Sequence, residues 1–195
     1  LNSGSAYCPV NIMTILFQKD EKKIKKMLID IKDPKKRDDF IKYDSNRIYL
    51  KNDKNEPEKY NVTIETSGVM KLKTILLSSL DVIENKIKLI KSNYINKDNE
   101  DIIIKKQESS LGGIDIILKN ENDTIGNLLS SYLLDSNKVK IASYNIPHPL
   151  INEMLIRFTL KNDSKIEEYN KVFFNTIDNI LKILNDLKKD FKSIS

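Results

Sequence analysis

Cysteine is nearly absent from this chain of 195 residues, with Cys8 the only one. A single thiol closes no internal disulfide and gives too few sulfurs for a cysteine-based zinc site; it fits a reducing compartment. Histidine is equally scarce. His148 stands alone, and nothing near it in sequence completes a metal-ligand or acid–base set, so catalysis or metal binding there has little support. Tryptophan is missing and aromatics make up 7% of the residues, which argues against the aromatic-interleaved basic surface of a dedicated nucleic-acid binder. Neither sign of charge dominates: 33 basic and 28 acidic residues leave a net +5. No run approaches the roughly 18 apolar residues of a membrane span, and no basic-then-apolar leader opens the chain. We therefore expect a soluble, intracellular protein. The chain starts at Leu1 and runs at once into strand-forming residues, so we also expect an upstream segment to be missing.

What is present is a hydrophobic fraction of 39%, enough to bury a core. Tyr7 to Phe17 is apolar and rich in strand formers, with Pro9 limiting it to an edge or a strand start. Ile24, Met27, Leu28 and Ile31 then fall at helical spacing, and Pro34 is expected to end that helix. The densest basic run lies here, from Lys22 to Arg37. It reads either as a phosphate-contacting patch or as a solvated face, and the flanking Asp20, Glu21, Asp38 and Asp39 favour the second. Residues 44–59 form a surface excursion with one short strand. Tyr60, Val62 and Ile64 alternate as a strand, Thr66-Ser67-Gly68 breaks it, and a helix follows from Leu72 to Asn93.

That helix carries one apolar seam: Leu72, Leu76, Leu80, Ile83, Ile87 and Ile90. After a polar linker around Lys97 to Asp101 come two strand candidates, Ile102 to Ile104 and Ile114 to Leu118. Farther on, Met154, Ile156, Phe158 and Leu160 alternate as a strand. A last helix follows, opened by a capping box from Ser164 to Glu167 and striped by Ile166, Tyr169, Phe173, Ile177, Ile180, Leu184, Leu187, Phe191 and Ile194. Strand, break and long striped helix thus occur twice, at Tyr60 to Ile90 and at Met154 to Ile194. A striped helix cannot bury its seam alone, so each is expected to cover the other. Leu76, Leu80, Ile83 and Ile87 on one side and Phe173, Ile177, Ile180, Leu184 and Leu187 on the other are the expected interface. The implied fold is α+β: two pseudo-twofold lobes, each an antiparallel sheet with a long helix, joined through the helices.

The most distinctive stretch is Asp123 to Leu150. Asp123 reads as the N-cap of a short helix reaching to about Ser136, yet Gly126 and Asn127 weaken its first turn and point to a close neighbour. Val139 to Tyr144 alternates as a strand with Val139, Ile141 and Ser143 on one face, and Pro147-His148-Pro149 stops it. Thr124, Gly126 and Asn127, with Ala142, Tyr144, Pro147, His148 and Pro149, resemble the signature of the eleventh-subunit family of eukaryotic RNA polymerase II, equivalent to the archaeal L subunit. Asp123 stands where that family has histidine, and Ser143 where it has glycine. YCPV at Tyr7 to Val10 and IETSG at Ile64 to Gly68 are similar to the third subunit, the archaeal D subunit. Both in one chain resemble the fused subunit of large cytoplasmic DNA viruses.

The resemblance implies a third-subunit-like lobe over residues 1–97 and an eleventh-subunit-like lobe over 98–195. It also implies a non-catalytic assembly platform, like the bacterial alpha N-terminal domain dimer, that mounts the two largest polymerase subunits together with small assembly subunits. The expected docking residues are Thr124, Gly126, Asn127, Leu128, Tyr144, Pro147, His148 and Pro149. Neither cofactor nor metal is expected; Asp115, Glu121 and Asp123 are explained by capping and solubility, and Gly112-Gly113 lacks the spacing and lysine of a phosphate loop. Membrane and small-molecule substrates are not expected, and nucleic acid only through the complex. If viral, the chain belongs in host cytoplasm and virion, otherwise in the nucleus. The rivals are a basic nucleic-acid-binding module using Lys22 to Arg37 and a free-standing helical adaptor.

Overall fold

Local sequence signals account for most element boundaries in the computed structural model, which describes residues 8–53, 55–96, 101–106, 112–148, 150–162 and 165–193. The chain divides into two compact units, 1–72 and 73–195. The division expected after residue 97 follows a family resemblance. The compact units part earlier because the first long helix packs with the elements that come after it.

In the first unit, β1 (Val10–Phe17) pairs antiparallel with β2 (Tyr60–Thr66), Phe17 opposite Tyr60 and Ile15 opposite Val62. Gly68, at φ +81°, takes the left-handed conformation that ends the strand segment. Between the strands lie α1 (Glu21–Asp30) and α2 (Pro34–Lys42). The expected single helix is in fact two. Asp33 accepts from the Lys35 amide at 2.9 Å and Pro34 occupies the first turn of α2, so the proline opens a helix as well as closing one. A 3-10 turn over Asp44–Arg47 and isolated bridges from Lys19 to Tyr49 and Lys51 to Pro57 make up the surface excursion. Among the unit's described residues, Ile24 and Phe40 are the buried hydrophobic ones.

The second unit begins with α3 (Leu72–Ile95) and holds a four-stranded antiparallel sheet in the order β3-β4-β6-β5, built from β3 (Ile102–Lys106), β4 (Ile114–Lys119), β5 (Val139–Asn145) and β6 (Glu153–Leu160). Strict alternation puts Ile114, Ile116, Leu118, Met154, Ile156 and Phe158 on one face, each at most 1% exposed. That face packs with α4 (Asp123–Leu134) and α5 (Ile166–Ser193) into one core, to which α3 contributes Leu80, Ile87, Ile90 and Tyr94. On the opposite face Arg157 grips Asp115 across β6 and β4 with two 2.8 Å hydrogen bonds. The capping residue expected for α5, Ser164, lies outside the described residues, as do Tyr7, Pro149 and Ile194.

Two further expectations are corrected. The N-cap of α4 is Asn122, whose side chain accepts from the Thr124 amide at 3.2 Å, and Asp123 is the first helical residue. In β5 the register shifts between Val139 and Ile141, so Val139 and Ala142 are buried while Ile141 and Ser143 face outward. A bulge moves every later side chain to the other face, and alternation by itself does not announce one.

Candidate functional site

The long helices α3 and α5 run antiparallel. The Tyr94 ring lies 4.7 Å from that of Phe173 and 5.1 Å from that of Phe174, and its hydroxyl donates to Asn170 Oδ1 at 2.7 Å. At the far end, Lys73 Nζ donates to the Lys192 carbonyl at 2.7 Å. Burial raises the Tyr94 phenol to about 12, since ionising it would strand a charge among rings.

The residues expected along the seam differ in burial. Leu80, Ile87, Phe173, Ile177, Ile180 and Leu184 are buried, while Leu76 and Ile83 are half-buried. Leu187 does not belong there. It is 39% exposed, and Lys188 beside it points inward, its Nζ meeting Glu84 and Asp81 on α3. Glu84 is only 7% exposed and also pairs with Lys88 one turn along its own helix. The hydrogen bonds from Lys188 and Lys88 hold the Glu84 carboxyl below its ordinary value. Donating to Asp81 and Glu84 holds the Lys188 ammonium above its own ordinary value. Lys91 pairs with Asp178 farther along. Hydrophobic spacing found the seam and missed these charges, because an acid within an apolar stripe looks like an interruption until its partner helix is in place.

The second cluster is the corner between α4 and β5. A Cβ built on buried Gly126 would lie 2.5 Å from Tyr144 Cδ2 and 2.6 Å from Met154 Sδ. The close neighbour expected at this glycine is therefore inside the same unit: the first turn of α4 lies directly on β5 and β6. Leu128 is half-buried against the core and Tyr144 is half-buried beneath the helix, so these three position the corner. Thr124 and Asn127 are exposed, and Asn127 Oδ1 accepts from the Ser131 hydroxyl at 3.1 Å. Pro147 and His148 are also exposed, in the turn just beyond β5. His148 Nδ1 accepts from the Leu150 amide at 3.1 Å, a turn-closing role.

The imagined carboxylate cluster is dispersed: Asp115 pairs with Arg157, Glu121 with Lys86 at 2.7 Å, and Asp123 sits in a helix first turn. Among the described residues no group of three or more His, Cys, Asp or Glu side chains is placed to hold a metal. In the other unit the lysines of α1 are exposed around the buried Ile24, and Asp20 is engaged as the helix cap. No helix is long and apolar enough to cross a membrane, among the described residues.

Comparison with known proteins matches residues 113–194 to the RNA polymerase Rpb3/Rpb11 dimerisation domain, a span that takes in β4, α4, β5, β6 and α5. A putative DNA directed RNA polymerase subunit of Acanthamoeba polyphaga mimivirus is 28% identical over 76% of this chain and 39% of its own length. The Rpo11 subunit of the DNA-directed RNA polymerase of Sulfurisphaera tokodaii is 41% identical over 28% of this chain and 58% of its own. A probable Rpb11 subunit of DNA-directed RNA polymerase II from Plasmodium falciparum is 35% identical over 38% of this chain and 56% of its own. The chain thus spans between about two fifths and three fifths of the relatives it matches. By these matches residues 113–194 are similar to the RNA polymerase Rpb3/Rpb11 dimerisation domain, and the chain is similar to RNA polymerase subunits of that type.

Proposed function

We propose that this chain is an assembly-platform subunit of a multisubunit DNA-directed RNA polymerase. It does no chemistry of its own and mounts the two largest subunits and small assembly subunits. The α3–α5 pair carries this reading: the helix matched to a dimerisation domain already has its partner, from the same chain, along most of its length. With that face occupied, contacts to other subunits fall to the remaining surfaces. The exposed Thr124, Asn127, Pro147 and His148 at the α4–β5 corner are the proposed docking residues. Pro149 continues that turn in sequence, while Gly126, Leu128 and Tyr144 hold the corner in shape. The similarity to a mimivirus subunit supports host cytoplasm and virion as its place of action.

The test is affinity purification of the tagged full chain from its native setting. We expect the two largest polymerase subunits to co-elute, and Asn127→Arg with His148→Ala to reduce their yield severalfold without changing the circular dichroism spectrum. A folded chain that recovers no large polymerase subunit overturns the proposal. Should the chain bind nucleic acid by itself with a steep salt dependence, the basic α1–α2 segment becomes the better reading.

A further inference from the structure

Both long helices carry the same charge spacing. Lys91 stands ten positions after Asp81 on α3, and Lys188 stands ten positions after Asp178 on α5. In the antiparallel pair each acid meets the other helix's lysine: Lys188 with Asp81, Lys91 with Asp178. The two ion pairs are therefore related as by a twofold axis between the helices. A parallel pairing would set acid against acid and lysine against lysine, and a slip of one turn, about 5.4 Å, would part both pairs. The leucine and isoleucine seam is less selective, because apolar stripes pack in several directions and registers. Nor does a tight connection impose the direction, since four strands and α4 intervene between the helices.

One position breaks the symmetry. Three residues beyond Asp81 stands Glu84, whereas three beyond Asp178 stands Leu181. Lys188 therefore meets two carboxylates on α3, one of them buried, and would meet only one on the α5 of a second copy. Glu84 is almost fully buried, and a buried carboxylate left without its cation is strongly unfavourable, so the pair discriminates between partners that offer the matching charge and those that do not.

We infer that the Asp81–Lys188 and Lys91–Asp178 pairs lock the direction and register of the helix pair, and that Glu84 makes α5 prefer α3 of its own chain to a second α5. This inference rests on the helix pair and not on the polymerase role, so it is tested on the purified full chain alone.

Carbodiimide cross-linking mapped by mass spectrometry, with light scattering, reads it out. The unaltered chain is expected to be monomeric, with intrachain Lys188–Glu84 and Lys91–Asp178 links. Glu84→Leu should keep the Lys91–Asp178 link while raising the dimer fraction severalfold at high concentration. Glu84→Leu, Lys91→Leu and Lys188→Leu together should keep the melting midpoint and yet give mixed species and doubled amide resonances. Lys188→Glu should lower the midpoint by several degrees, and adding Asp81→Lys with Glu84→Lys should recover most of that loss. A triple leucine variant that stays a single monomeric species overturns the lock. Glu84→Leu with no gain in dimer overturns the preference.

Discussion

At Gly126 a missing side chain decides how closely two elements approach. Glycine weakens a helix interior by about 1 kcal/mol relative to alanine, and here the weakening is offset by seating α4 on Tyr144 and Met154. Gly126→Ala should therefore lower stability by about 1 kcal/mol despite its better helix propensity, because overpacking costs about 1–3 kcal/mol. Chemical denaturation checks this, and pairing it with Met154→Ala should restore part of the loss. The glycine was legible in sequence as a sign of close approach. Which neighbour approaches was not, because Met154 and Tyr144 reach it only through the sheet. Thr159 shows the reverse case. It is 6% exposed and its Oγ1 has no hydrogen-bond partner among the described residues, and nothing in its sequence neighbourhood marks it.

Among the elements, α3 and α5 were the most legible, since a stripe of apolar residues at alternating three- and four-residue spacing persists through both. The end of the stripe was misjudged. Leu187 continues the spacing, but Lys188 takes the inward position because Glu84 waits opposite. The short segments were harder. Pro34 carries the same signal whether it ends one helix or begins the next, and only the Asp33 cap tells them apart. The charges on the helix pair also set a pH window. Glu84 is depressed below the ordinary 4.5, so its contribution is complete above about 4.5 and is lost as pH falls through the folded value. Lys188 is raised above the ordinary 10.5, so its contribution is complete below about 10.5 and is lost as pH rises through the folded value. The difference in melting midpoint between the unaltered chain and Glu84→Gln should be constant between these limits and shrink on the acid side. A difference independent of pH would show that Glu84 contributes by shape alone.

Across the whole molecule, burial is uneven. The second unit owns the continuous core, while the first has Ile24 and Phe40 buried and leaves Ile12, Met13, Ile15, Leu16, Tyr60 and Val62 each at least half exposed on its two-stranded ribbon. Two strands alone are marginally stable in water. Amides of β1 and β2 should therefore exchange with solvent at least tenfold faster than those of β4 and β6, as hydrogen–deuterium exchange would show. Equal protection would mean that the ribbon is held by more than its own ladder. The α+β class was legible from strand-then-helix order. The unequal shares of core were not, because the apolar content of β1 and β2 looks the same in sequence whether or not anything covers it.

The aromatic cluster at the end of the helix pair also bears on how this molecule can be watched. With no tryptophan in the chain, tyrosine emission is not drained to a stronger acceptor, and Tyr94 sits where α3 and α5 meet, its ring between Phe173 and Phe174 and its hydroxyl on Asn170. A Tyr94→Phe difference spectrum would thus isolate a built-in optical label for the closed pair, one that follows its opening in real time without an added dye.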